Sequence, residues 1–550
     1  MLRWMRIALA FFVIAALTVF FLDFSETIPP SFSWIAKIQL VPALTGALSG
    51  TVLSLVVLLV LLLVDLIWGR VYCSCVCPFG IMQDVISRVS RFFRPRKSKP
   101  GYCYLPPRKK TRRFFFLLTL VAILLPMFGI TSFMIIVGLL DPYAQYGRIA
   151  VHLIYPIYAC GNNLLVVLMR PLGNAKFYLV GHSMQSGTAF ATACLSVLVT
   201  IYFASRFGRL YCNAICPVGT FLGFLSRRAL FRIHIDSEKC IECRQCVKAC
   251  KSSCIDIDHN VIENDRCVLC FNCLNVCKKD AIRYSPLRKK EQAVKNEKTE
   301  ILTQIQVDPA KRVFLMAAFI ANFFGSLWGL VPKALAGTMT PKPNDTAAQH
   351  NTYPTEWGAS PRHRVWHAVS PPGSLSLHHM TSRCTLCHLC VSKCPQHVIK
   401  PAFLDYGAAG LLLPVMKFSP EVFCNYDCTI CGEVCPTGAI IPLSLDEKHL
   451  TQTGHVVFFK DKCVVFTDET NCGACAEHCP TQAVSMIDYK GNLTIPETRK
   501  EFCVGCGACE SICPVLPVQA IRVKGHLIHR NAELPPQERK VEAKMDDFGF

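Results

Sequence analysis

Acidic side chains are scarce in this chain: 38 Asp and Glu stand against 58 Lys and Arg, for a net charge of +20. Between Arg88 and Arg113 there are eleven basic residues and no acidic one. Such a patch raises nucleic acid as a partner, but these patches flank apolar stretches and carry no recognition motif. No nucleic-acid partner is expected, and the charge reads as membrane topology instead. Cysteine spacings that close long loops are also missing. Of 33 cysteines, 24 fall into six tight groups of four, which excludes a secreted disulfide framework and points to metal cores assembled in a reducing compartment.

Those six quartets are the strongest feature of the sequence. Cys240, Cys243, Cys246 and Cys250, then Cys267, Cys270, Cys273 and Cys277, both read C-x2-C-x2-C-x3-C, the run that holds 4Fe-4S clusters. Four variations follow: Cys384/Cys387/Cys390/Cys394, Cys424/Cys428/Cys431/Cys435, Cys463/Cys472/Cys475/Cys479 and Cys503/Cys506/Cys509/Cys513, each ending in Cys-Pro. A tight loop supplies three thiolates to one face of a metal cube, and the fourth must arrive from elsewhere. In two-cluster ferredoxins the fourth cysteine of each run serves the other cluster. The expected sets are therefore Cys240, Cys243 and Cys246 with Cys277, and Cys267, Cys270 and Cys273 with Cys250, with the same exchange inside each C-terminal pair. Cys384-Thr385-Leu386-Cys387-His388 matches a c-type haem attachment pattern, but a haem there orphans Cys390 and Cys394. Zinc also accepts four thiolates, and six repeated ferredoxin runs favour iron-sulfur over it.

Apolar stretches at about 4–22, 41–68, 114–140, 187–205 and 313–331 each approach the roughly 20 residues that cross a bilayer. The stretch 149–169 is interrupted by Pro156, Gly161, Asn162 and Asn163 and reads as re-entrant or interfacial. The basic loop at 88–113, with Arg3 and Arg6, is expected on the cytoplasmic side, as is the first ferredoxin, which follows Arg206, Arg209, Arg227, Arg228 and Arg232.

The membrane part contains a repeat. Gly69-Arg70-Val71-Tyr72-Cys73 runs on to Cys77-Pro78-Phe79-Gly80, and Gly208-Arg209-Leu210-Tyr211-Cys212 to Cys216-Pro217-Val218-Gly219. Two copies of G-R-x-Y-C-x3-C-P-x-G suggest a duplicated two-helix unit whose cysteine loops meet by pseudo-twofold symmetry. For Cys73, Cys77, Cys212 and Cys216 three readings stay open: ligands of a seventh cluster, redox thiols beside a quinol site, or small buried residues. Cys75, Cys103, Cys160, Cys194 and Cys254 have no partner by spacing and are read as structural. His152, His182, Asp141 and Asp65 are the ionisable groups in or beside spans, hence the candidates for a proton acceptor.

The fold class is thus multi-domain: a polytopic α-helical membrane domain plus α+β bacterial ferredoxin-like modules. The membrane domain covers 1–228 and the cytoplasmic dicluster ferredoxin 229–287. Next come a linker with the fifth helix or signal at 288–337, a second linker at 338–372, a four-cluster ferredoxin domain at 373–525 and a tail at 526–550.

Residues 1–290 resemble the NapH-type membrane ferredoxins, relatives of the NosR family, through the repeated G-R-x-Y-C-x3-C-P motif and Asp141-Pro142-Tyr143 with Gly147-Arg148. Residues 308–525 resemble the NapG and MauM-type ferredoxins, through Ser370-Pro371-Pro372-Gly373, Arg383-Cys384 and the run Phe423 to Gly438. The two partners are fused here. The resemblance implies a quinol dehydrogenase drawing on the quinone pool and feeding a periplasmic redox partner protein, in the bacterial inner membrane, with the C-terminal ferredoxin outside. Asp308-Pro309-Ala310-Lys311-Arg312-Val313-Phe314-Leu315 is similar to a twin-arginine signal with Lys311 in the first arginine's place, and Ala334-Leu335-Ala336 to a cleavage site. The expected cofactors are six 4Fe-4S clusters, with the membrane cysteines as a possible seventh site, and quinol as substrate. Two other readings remain: an assembly factor that reduces a metal centre in another enzyme, or a ferredoxin-linked module of a larger membrane complex.

Overall fold

The computed structural model describes residues 2–23, 28–93, 101–131, 133–169, 186–286 and 368–534. The chain divides into two units, Met1–Tyr284 with Trp366–Phe550, and Ser285–Val365. Of the second unit only Ser285 and Pro286 are described. The expected span at 313–331, the twin-arginine-like segment, His182 and the end of the tail therefore lie outside the described residues.

The helical part is built from α1 (Leu2–Leu22), α2 (Leu40–Leu48), α3 (Val52–Trp68), α4 (Tyr72–Cys75), α5 (Pro78–Phe93), α6 (Lys109–Leu124), α7 (Met134–Leu140), α8 (Pro142–Ile149), α9 (Tyr155–Met169), α10 (Gly187–Phe207), α11 (Leu210–Ala214) and α12 (Pro217–Ser226). Among the described residues three helical stretches are long and apolar enough to cross a membrane: Leu2–Leu22, Pro142–Met169 and Gly187–Phe207. This differs from the sequence expectation in three places. The apolar run 41–68 is not one span but two packed helices, because Ser49, Gly50 and Thr51 break it, with Gly50 in the left-handed region at φ +84°. The run 114–140 also divides: α6 ends in a 3-10 turn at Leu125–Phe128, and α7 begins at Met134. The weak stretch at 149–169 is helical throughout. A π-helical segment at Ala150–Ile154 reroutes the backbone bonds just before Pro156, whose missing N–H would otherwise leave a carbonyl unpaired.

The ferredoxin modules rest on small antiparallel pairings. Phe231–Ile235 pairs with Ile282–Pro286 and encloses the first two quartets. In the C-terminal module Thr451–Phe458 pairs with Ile521–Asn531, Val456 opposite Val523, and Val484–Asp488 pairs with Thr494–Thr498. Pairing of Arg530 with Gln452 and Asn531 with Thr451 carries that module past residue 525 to Asn531. A long strand whose last residues alternate His529, Arg530, Asn531 gives no apolar signal of its own, which is why composition places the boundary short.

Candidate functional site

All six quartets fold alike at their third cysteine. Cys246, Cys273, Cys390, Cys431, Cys475 and Cys509 each sit in the first turn of a helix of four or five residues. In the four quartets that keep x2 spacing on both sides of the second cysteine, the residues flanking that cysteine are left-handed: Glu242 and Arg244, Leu269 and Phe271, Leu386 and His388, Gly505 and Gly507. For non-glycine residues each such step costs about 1–2 kcal/mol. Strain repeated at equivalent positions marks a loop bent around something.

The thiols gather across quartets, not within them. Cys384, Cys387 and Cys390 face Cys435, while Cys424, Cys428 and Cys431 face Cys394. Cys463, Cys472 and Cys475 share a pocket with Cys513, and Cys503, Cys506 and Cys509 face Cys479. In the first module Cys267, Cys270 and Cys273 close on Cys250 around a cavity that Phe271 and Ile233 also line. Cys240, Cys243 and Cys246 stand together, and Cys277 borders the same core as Cys240. In five sets the neighbouring thiols follow the exchange expected from the spacing, while Cys277 borders a core that holds cysteines of both runs.

The donor sets fit a polynuclear core. Among the described residues no three His, Cys, Asp or Glu side chains come close enough to share a single ion, as they would around zinc. Thiols that each bind one corner of a cube must stand further apart. Burial pushes the Cys270 thiol up to about 11, and those of Cys424 and Cys475 up to about 12. Four thiolates in one such pocket therefore require the positive charge of a metal core. Haem is disfavoured at Cys384 and Cys387 for a further reason. His388 is buried with both ring nitrogens engaged, Nδ1 to His152 Nε2 at 2.8 Å and Nε2 to the Leu412 carbonyl at 3.0 Å, so neither is free to bind iron.

The repeated motif explains itself residue by residue. Gly69 and Gly208 end α3 and α10 at φ +82° and +67°, a conformation closed to side chains with a Cβ. Each arginine then crosses to the other copy. Arg70 donates to Asn213 Oδ1 at 2.9 Å and contacts Cys73 Sγ at 3.6 Å. Arg209 donates to the Cys73 carbonyl at 2.7 Å and to Asp84 Oδ1 at 2.9 Å. The tyrosines are matched too: Tyr72 donates to Gln39 Oε1 at 2.9 Å, and Tyr211 accepts from Gln145 Nε2 at 2.7 Å. Gly80 and Gly219 let the next helix approach; a Cβ on Gly80 would meet the Cys73 carbonyl and Arg209 Nη1. Gly80→Ala is therefore expected to cost about 1–3 kcal/mol in a thermal unfolding measurement, the usual penalty for overpacking.

This symmetry brings Cys73, Cys77, Cys212 and Cys216 together, all buried and within electrostatic reach of one another. Cys75 is buried beside Ser74, 3.5 Å away, and Cys254 Sγ lies 3.6 Å from Cys250 Sγ. Cys103 and Cys160 are exposed and Cys194 is half-buried. Of the proton-acceptor candidates, Asp141 caps α8 through the amides of Tyr143 and Ala144, both at 3.2 Å, and His152 is paired with His388. Asp65 is buried with neither carboxylate oxygen hydrogen-bonded. Tyr143 and Arg148 entered only among the residues that carry the resemblance, and Asp84, Asn213, Gln39 and Gln145 were not singled out. The two arginines were visible inside the repeat, whereas the others carry no spacing signal.

Comparison with known proteins agrees with this geometry. A 4Fe-4S binding domain family matches residues 51–100 and 188–236, which contain the two copies of the repeat, and another matches 231–252. A 4Fe-4S dicluster domain family matches 462–517. The chain is similar to the methylamine utilization ferredoxin-type protein MauM of Methylobacillus flagellatus, 34% identical over 25% of this chain and 60% of that protein. MauM of Methylophilus methylotrophus is 32% identical over 26% of this chain and 64% of its own length. The putative electron transport protein YccM of Escherichia coli is 24% identical over 34% and 43%. The chain thus spans less than two thirds of the length of each of these relatives. No solved structure matches it. The relatives are ferredoxin-type proteins and a putative electron transport protein, and this chain carries several 4Fe-4S binding domains.

Proposed function

We propose that this chain is a membrane-bound relay that takes electrons from quinol and delivers them to a redox partner on the other side of the membrane, as a fusion of NapH-like and NapG-like parts. The observation that supports this reading is the approach of fourth cysteines to the thiols of the neighbouring run. Cys240, Cys243, Cys246 and Cys277, with the five sets described above for Cys250 through Cys513, would hold six 4Fe-4S clusters. Cys73, Cys77, Cys212 and Cys216 would hold a seventh. When bound, each such cluster exchanges one electron.

The chain's own contribution is placement. The two pairs of the C-terminal module touch at their ligand loops, where the Cys424 amide donates to the Cys506 carbonyl at 2.9 Å. Helix α1, about 30 Å long for its 21 residues, supports modules at opposite faces. Near its start Arg6 pairs with Asp84 at 3.1 Å, and Asp84 also takes Lys251 of the first ferredoxin at 3.3 Å. Near its end Phe20 and Phe21 pack with Cys387 and Leu389, and Asp23 pairs with Lys393.

The quinol end of the reading is supported by Asp65. Its unpartnered carboxylate stands beside Arg70 and in reach of Cys73, where a proton acceptor serves quinol oxidation. Anaerobic protein given a reduced quinol analogue should lose visible cluster absorbance. Asp65→Asn should slow that bleaching by about 100-fold at unchanged iron content, the usual share of a general base. Bleaching by a soluble ferredoxin but never by quinol would overturn the proposal.

A further inference from the structure

The two ferredoxin bodies sit at opposite ends of α1, and nothing in the sequence says how an electron passes between them. Buried contacts lead from both bodies to the same four cysteines. On one side, Val268 and Cys270 of the first ferredoxin belong to the same core as Cys73, Cys77 and Cys216. Arg70, which contacts Cys73 Sγ, also donates to the Asp265 carbonyl at 3.0 Å, two residues before the ligand loop of Cys267.

On the other side the connection runs through α8, every residue of which is buried. Tyr143 packs in one core with Cys387 and Val434, and its charge neighbours are Cys387 and Cys435 on one hand and Tyr72 on the other. Tyr72 in turn neighbours Cys73 and Cys77. Arg148 lies between Tyr211 and the Cys384–Cys387 loop and donates to the Leu386 carbonyl at 3.1 Å. Gly147 has no side chain where a Cβ would strike the Cys387 carbonyl. The third quartet is seated on the membrane part at its ligand loop, with no layer of other chain between.

We propose that Cys73, Cys77, Cys212 and Cys216 are the electrical bridge between the two ferredoxin bodies. The series then runs from the Cys240 set through the Cys250 set and the membrane cysteines to the Cys435, Cys394, Cys479 and Cys513 sets. This rests on the iron-sulfur relay reading and gives it an order. Each one-electron step reduces one cluster as its neighbour is oxidised, so no proton or further reactant is needed within the series.

The test uses the full chain in sealed lipid vesicles with dithionite added outside, an anionic reductant that intact lipid excludes and that is oxidised to sulfite as it supplies electrons. Whichever face a vesicle presents, the wild-type protein should bleach completely before detergent is added. Cys212→Ser/Cys216→Ser should keep about 24 iron atoms, six cubes' worth, and lose the bleaching of the enclosed clusters until detergent opens the vesicles. Cys103→Ser, at an exposed lone thiol, should behave as wild type. Complete bleaching of the double variant without detergent overturns the bridge and leaves the relay standing. Enclosed clusters that stay oxidised in the wild type remove the relay itself. An unchanged iron content in the double variant also overturns the bridge, because those cysteines then hold nothing.

Discussion

Asp84→Ala is expected to destabilise the helical part by about 3–5 kcal/mol, the cost of leaving buried charge without its partner. The carboxylate accepts from Arg209 at 2.9 Å, Arg6 at 3.1 Å and Lys251 at 3.3 Å, and none of the four side chains is more than 12% exposed. Burial alone would push its carboxyl up, but Arg209, Lys251 and Arg6 outweigh that and hold it well below the usual carboxylate range. A depressed carboxyl contributes stability that is present above its unfolded pKa, near 4, and lost only as pH falls through the lower folded value. The pairing should therefore survive acidification to pH 4 and be insensitive to salt, since buried pairs are screened little. Thermal unfolding of detergent-solubilised protein checks both. Because Arg209 also holds the Cys73 carbonyl, the same variant should loosen the membrane cysteine set. A loss below about 1 kcal/mol, typical of an exposed pair, would mean that the hub is open to water.

The second large effect separates exchanged from unexchanged ligation. With exchange, Cys435→Ser removes the fourth thiol of the Cys384, Cys387 and Cys390 set, while Cys394→Ser does so for the Cys424, Cys428 and Cys431 set. Each variant should lose up to about four iron atoms. The variants differ in where the loss falls. Cys435→Ser should free the thiols of Cys384, Cys387 and Cys390 for alkylation under native anaerobic conditions and leave Cys424, Cys428 and Cys431 protected. Cys394→Ser should do the reverse. Peptide mapping of the alkylated cysteines reads this directly, and the opposite pattern would show that each run closes on itself.

Much of this was legible in the sequence because metal ligation is local. Three thiolates on one short loop fix spacing and residue type together, so the six runs announce themselves, and the fourth cysteine follows from the need to approach a cube from another side. The membrane repeat was legible for a related reason: a helix-ending glycine, a crossing arginine and a proline-led helix are required twice. The helical boundaries were less readable. Apolar composition over 41–68 does not register that Gly50 turns the chain, and Pro156 looks like a break until the π-helical segment before it absorbs the missing donor. Asp84 and Gln145 left no trace, since the side chains they meet are over 60 residues away. Asp141, a candidate by its place beside a span, has its carboxylate engaged as a helix cap, which composition does not reveal.

The most direct measurement is the metal and sulfide content of the anaerobically purified full chain. Seven sets of four thiols predict about 28 iron atoms and as many acid-labile sulfides per chain. Zinc in place of iron, or a colourless chain with little of either, would contradict the account at its root.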